Sequence, residues 1–202
     1  MLPLTPSSFH HILSRFVPVD RQELRALLWS FLCFFTLLAS YYVLRPVRDE
    51  MGVQTGAQNL PWLFSAVFVS MLVLVPFFGW IAGRLPVRRL IPTVYLFFAS
   101  NLFLFFLALM TDIPRTMVAP VFFVWVSVFN LFVVSLFWSV MADLYSTESA
   151  RRLFGFIAAG GSSGAVAGPL FTALMVPSLG VAPLLLVSIG LLLAAMTCFF
   201  AV

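Results

Sequence analysis

Six long apolar runs divide the chain, separated by short links that carry charge, proline or glycine. The first runs from Ala26 to Leu44 without a charge, and Arg45, Arg48, Asp49 and Glu50 follow it directly. Runs of this kind are membrane helices, because at about 1.5 Å per residue each crosses roughly 30 Å of hydrocarbon. The predicted spans lie near residues 25–46, 60–82, 90–110, 117–142, 153–176 and 181–202. The second is the clearest. Pro61 suits a first helical turn. Trp62 and Trp80 stand 18 residues apart, about 27 Å along a helix, which places the two indoles at opposite interfaces. The expected fold class is an all-α membrane protein, with residues 24–202 forming a six-helix transmembrane bundle.

Residues 1–23 read as a separate N-terminal segment. Phe9, Ile12, Leu13 and Phe16 follow helical spacing, so a short amphipathic helix is expected to lie on the membrane surface. His10 and His11 have no further ligands beside them and read as solvent-facing, so no metal is expected. Pro18 breaks this piece, and Asp20 with Glu23 makes a capping-box pattern for the first span.

Composition narrows the function classes. All 11 basic residues are arginine, and they are spread over the links rather than clustered. No nucleic-acid partner is therefore expected. Cys33 and Cys198 both fall inside spans and read as small apolar fillers. The spans hold no His/Asp/Glu cluster, metal spacing or nucleophile constellation, which argues against an enzyme, a catalytic residue or a cofactor. With the N-terminus inside, the cytoplasmic segments carry Arg15, Arg21, Arg25, Arg84, Arg88, Arg89, Arg151 and Arg152, while the outer ones carry only Arg45, Arg48 and Arg115. The positive-inside rule then puts both termini in the cytoplasm.

Three polar features stand out. If the first helix continues through Pro46, then Tyr41, Arg45 and Arg48 fall at i, i+4 and i+7, on one face. Guanidinium forks on a membrane helix suit a carboxylate or phosphate. The alternative is that Arg45 and Arg48 pair with Asp49 and Glu50 at a wet helix end, or snorkel to headgroups. In the fourth span Ser127, Asn130 and Trp138 share a face, with Ser135 at its edge, either lining a polar path or fastening helices together. Asp143, Glu148, Arg151 and Arg152 read as a charge clamp beyond that span. In the fifth span Gly160, Gly164 and Gly168 recur every four residues, a ridge that lets another helix approach closely.

Several of these stretches resemble known families. The link Gly79–Arg89 is similar to the cytoplasmic signature of the major facilitator superfamily: Gly79, Arg84, Arg88 and Arg89 fit, whereas Gly83 replaces an Asp and Pro86 a Gly. Arg84, Arg88 and Arg89 would form its gate loop. Gly155, Gly164, Gly168 and Pro169 resemble the antiporter motif of that superfamily, with Thr172-Ala173 in place of its closing glycine pair. Taken together, Tyr41–Glu50, Phe122–Asp143 and Arg151–Pro169 resemble the ATP/ADP translocase family, whose members have about twelve spans. In its pattern of Leu-Arg, two residues, then Lys-Asp, Arg48 stands at the phosphate-holding lysine. Ser127 stands where the family has a functional Glu two residues after a Trp, here Trp125.

The resemblance implies a major-facilitator-type N-terminal half in a bacterial inner (plasma) membrane. The expectation is a secondary transporter of an anionic solute, a nucleotide or another phosphorylated or carboxylated metabolite, working by exchange. Arg48, Arg45, Tyr41, Asn130 and Ser127 would bind it. Gly155, Gly160, Gly164, Gly168 and Pro169 would pack helices. The sixth run reaches Val202 without a terminating charge. A second six-helix half or a homodimer is therefore expected, facing the glycine ridge, with membrane lipid around both. The alternative is a non-transporting membrane module, an assembly or sensor subunit, that keeps the fold.

Overall fold

The computed structural model describes residues 21–202 apart from Asp112. The surface helix at 9–16, His10, His11 and the Asp20 cap lie outside the described residues. Among the described residues six helices follow one another: α1 (Arg21–Gln54), α2 (Leu60–Ala82), α3 (Val87–Met110), α4 (Arg115–Leu144), α5 (Thr147–Leu179) and α6 (Ala182–Ala201), with a 3-10 turn at Ala57–Asn59. All six are long and apolar enough to cross a membrane.

Helices α1, α3, α4 and α5 overrun the expected spans. The apolar pattern marks only the hydrocarbon-facing part of each, while the backbone ladder continues into the interface. Thus α1 passes through Pro46 and ends at Gln54, which membrane helices tolerate. At the other end of the bundle, Ser146 caps α5 by accepting from the Ser149 N–H at 3.3 Å. Gly180, at φ 75°, stops it. Arg88 and Arg89 fall in the first turn of α3 rather than in a loop.

Helix α1 is the axis of the bundle. It packs chiefly on α5, α6 and α4; α3 joins α6 to α4, and α2 rests mainly on α4. Leu27, Leu37, Leu44, Phe122, Phe129, Leu153, Ile157, Leu184 and Leu192 are wholly buried at these contacts. Lipid tails are as apolar as leucine, so close packing and interhelical hydrogen bonds hold such helices together.

The glycine ridge supplies the close packing. A Cβ on Gly160 would lie 2.5 Å from the Phe31 carbonyl oxygen, one on Gly164 would strike the Phe35 carbonyl, and one on Gly168 would lie 2.7 Å from Tyr42 Cβ. The ridge therefore docks on α1 of the same chain, not on a second half. Gly161 joins it by accepting the Phe34 ring. One turn on, buried Thr172 donates to the Val43 carbonyl at 3.0 Å. Gly155 lies outside the ridge, since a Cβ there would meet nothing within 4 Å.

Polar clasps complete α1. Ser40 and Ser188 each donate to the other's carbonyl at 2.9 Å, fastening α1 to α6. Ser30 and the Tyr145 hydroxyl lie 2.9 Å apart. Burial holds the Tyr145 phenol above its ordinary pKa, with the Ser30 bond opposing, so it stays neutral. Such bonds contribute about 0.6 kcal/mol each within a membrane. Cys33 and Cys198 are free and buried, and Cys33 Sγ contacts the Ala195 carbonyl at 3.4 Å.

The charge clamp differs from expectation. Glu23 at the start of α1 accepts from Ser149 at 3.0 Å and sits 3.7 Å from Arg152. Among the described residues, Asp143, Glu148 and Arg151 make no ion pair. The α5 ridge draws the two helix starts together, so the partner of Arg152 is near in space and far in sequence.

Candidate functional site

The polar end of α1 meets α4 at one cluster. Because α1 continues past Pro46, Tyr41, Arg45 and Arg48 share a face as expected. Their depths differ. Tyr41 is buried, its ring edge-on to Tyr42 at 5.0 Å. The Arg45 side chain is 49% exposed, over the Tyr42 ring at 5.5 Å and only 4.0 Å from Asp49. An exposed pair at that distance contributes little. Arg48 is tucked between helices, its side chain 15% exposed.

Three groups hold the Arg48 guanidinium. Its Nε and Nη2 donate to one Asp49 oxygen at 3.0 and 2.6 Å. Its Nη1 donates to Ser127 Oγ at 3.2 Å. The Phe123 ring lies beneath it, 4.9 Å from the guanidinium carbon, in cation–π reach. Buried Ser127 donates in turn to the Phe123 carbonyl at 2.9 Å, so its oxygen is free to accept from Arg48. Gly52 admits the same ring, for a Cβ there would lie 2.8 Å from Phe123. Neither Phe123 nor Gly52 was expected here. Phe123 was findable, because it precedes Ser127 by four residues and so shares its face.

Asp49 is the solvent-facing member, 51% exposed at its side chain. An anion reaching this cluster can take the place of its carboxylate on Arg48. Asn130 is half-buried on α4 and makes no hydrogen bond among the described residues. Trp138 is packed edge-on to Phe34 at 5.2 Å and lies 5.3 Å from Phe154, so it serves the bundle rather than an open path.

At the opposite end of α2, Arg84 stacks over Trp80 at 3.7 Å. The Gly83 N–H bonds back to the Gly79 carbonyl at 3.0 Å and tightens this link. Pro169 lies inside α5, one residue past the Gly168 contact.

No curated protein and no solved structure matches the chain. A family model, Major Facilitator Superfamily, matches residues 3–169. That stretch holds the cluster, the tight link and the whole glycine ridge, on helices fit to cross a membrane. The chain belongs to the Major Facilitator Superfamily, whose members are membrane secondary transporters.

Proposed function

We propose that this transporter moves an anionic solute, a nucleotide or another phosphorylated or carboxylated metabolite, by exchange. The observation that carries this reading is the shared Arg48 guanidinium, enclosed between α1 and α4 and balanced by a displaceable carboxylate. An incoming anion displaces Asp49 and accepts the same donors, with Arg45 beside it and Tyr41 fixing the wall. Asn130, one turn along α4 from Ser127, offers its unused amide to the solute. Leaving solute hands Arg48 to the next anion, and that hand-over makes the cycle an exchange. A second six-helix half, or a second copy, supplies the opposite wall, and the two rock about the site.

The test is uptake of a labelled anion panel into proteoliposomes, with and without anions inside. Accumulation that depends on internal anion is expected. The 2.6 Å Asp49 contact also favours a second reading, in which Arg48 is already satisfied and the chain is a non-transporting module. Failure to move any anion of the panel supports that reading.

We also propose that both termini are cytoplasmic, on the strength of the arginine asymmetry, and that the membrane is a bacterial inner one, on the strength of the family resemblance of Tyr41–Glu50 and its companion stretches. Reporter fusions at Gln58, Thr111 and Ser178 are expected to read outside, and those at Val87 and Thr147 inside. One reversed site overturns the topology.

A further inference from the structure

Helices α2 and α3 are joined by a short link yet hardly touch each other, since α2 rests on α4 while α3 packs on α6 and α4. The gap between them is an apolar cavity of about 360 Å³. Leu74, Phe78 and Ile81 of α2 and Thr93 and Phe97 of α3 wall it, and Phe132 of α4 floors it. Phe77 and Phe97 are more than half exposed at its lips, so it opens sideways, toward lipid. Thr93 spends its hydroxyl on the Arg89 carbonyl at 2.7 Å, leaving a surface fit for hydrocarbon.

One end of this groove is cationic. Arg89, Thr93, Phe97 and Asn101 follow one another four residues apart on α3, so Arg89 continues the lining stripe. On α2 the stripe ends at Ile81, and Arg84 comes three residues later. The Trp80 face steadies Arg84 at 3.7 Å, and among the described residues its in-plane N–H donors meet no acceptor. No Asp or Glu occurs between Glu50 and Asp112. Among the described residues, neither Arg84 nor Arg89 pairs with a carboxylate.

We propose that this groove binds one anionic phospholipid, with an acyl chain between α2 and α3 and the phosphate on Arg84 and Arg89. A free phosphate has no use for the apolar walls, and a lipid of zero net charge leaves the two cations uncompensated. Basic residues at a membrane surface each favour an anionic headgroup.

Native mass spectrometry of the full chain in detergent tests this, with phosphatidylglycerol and phosphatidylcholine of the same acyl chains as probes. One phosphatidylglycerol retained per chain is expected, in clear preference to phosphatidylcholine. The double variant Arg84→Gln/Arg89→Gln is expected to weaken that retention about thirtyfold and erase the preference. Thr93 is exposed, so Thr93→Phe fills the groove without disturbing the core, and it is expected to lower retention with both arginines intact. Equal retention of the two lipids by the parent overturns the proposal. So does a double variant or a Thr93→Phe variant that binds like the parent. A lipid-free dimer that Thr93→Phe splits assigns the groove to a second copy instead.

Discussion

Gly164→Leu is expected to remove most of the folded protein, while Gly155→Leu in the same helix leaves it intact. At Gly164 even a Cβ strikes the Phe35 carbonyl and would lie 3.0 Å from the Ala39 nitrogen. Both obstacles are backbone, which cannot rotate aside as a side chain does. Overpacking in a core typically costs about 1–3 kcal/mol. Forcing α5 off α1 also threatens the neighbouring Gly160, Gly168 and Thr172 contacts, so the cost is expected at the top of that range or above it. Against a total stability of about 5–15 kcal/mol, that is a large fraction. At Gly155 nothing lies within 4 Å, and leucine is the better helix former by up to about 1 kcal/mol. Folded yield and thermal unfolding in detergent, measured on both variants, give the contrast. A Gly164→Leu protein that melts like the parent would mean that α5 does not dock on α1 through this ridge.

The two glycines also show what a sequence can and cannot reveal. Gly160, Gly164 and Gly168 were legible as a ridge because four residues bring a helix nearly back to the same face. Motif resemblance alone groups Gly155 with them. It precedes Gly164 by nine residues, about two and a half turns, and so points the opposite way. The partner of the ridge was not legible either. Any helix backbone satisfies a row of small residues, and only the tertiary arrangement selects α1 over a second half. Glu23 and Arg152 escaped for the same reason, since 129 positions separate an ion pair that α5 packing brings together. The six helices were legible because membrane solvation imposes long, uncharged runs. Their ends were less so, because the ladder outlasts the apolar pattern, as at Gln54.

The cluster on α1 was legible in its angles and not in its depths. Continuation through Pro46 fixes Tyr41, Arg45 and Arg48 on one face. How far each is covered depends on α4, which shields Arg48 with Phe123 and Ser127 and leaves Arg45 half exposed. The covering of Arg48 makes it the stronger candidate of the two, because a charge-assisted bond strengthens as water is excluded.

Arg48→Gln is therefore expected to lose most anion affinity while keeping the fold. Removing a charge-assisted contact to a desolvated anion costs on the order of 2–5 kcal/mol. That is roughly a thirtyfold or greater loss in apparent affinity. Arg48→Lys is expected to keep part of it, because the charge survives and the fork that reaches both Asp49 and Ser127 does not. Asp49→Asn tests the exchange itself. If Asp49 is the carboxylate that the solute displaces, its neutral form binds anion more tightly and releases it more slowly, so affinity rises while turnover falls. The structural reading predicts another pattern. There Arg48→Gln and Asp49→Asn both lower the melting temperature, because each strands the other's charge, and anion affinity in the surviving protein does not change. Binding of an anion panel and thermal unfolding, measured on the same three variants, separate the two. Parent-like binding in Arg48→Gln removes Arg48 from the site and leaves Asp49 as its structural counter-ion.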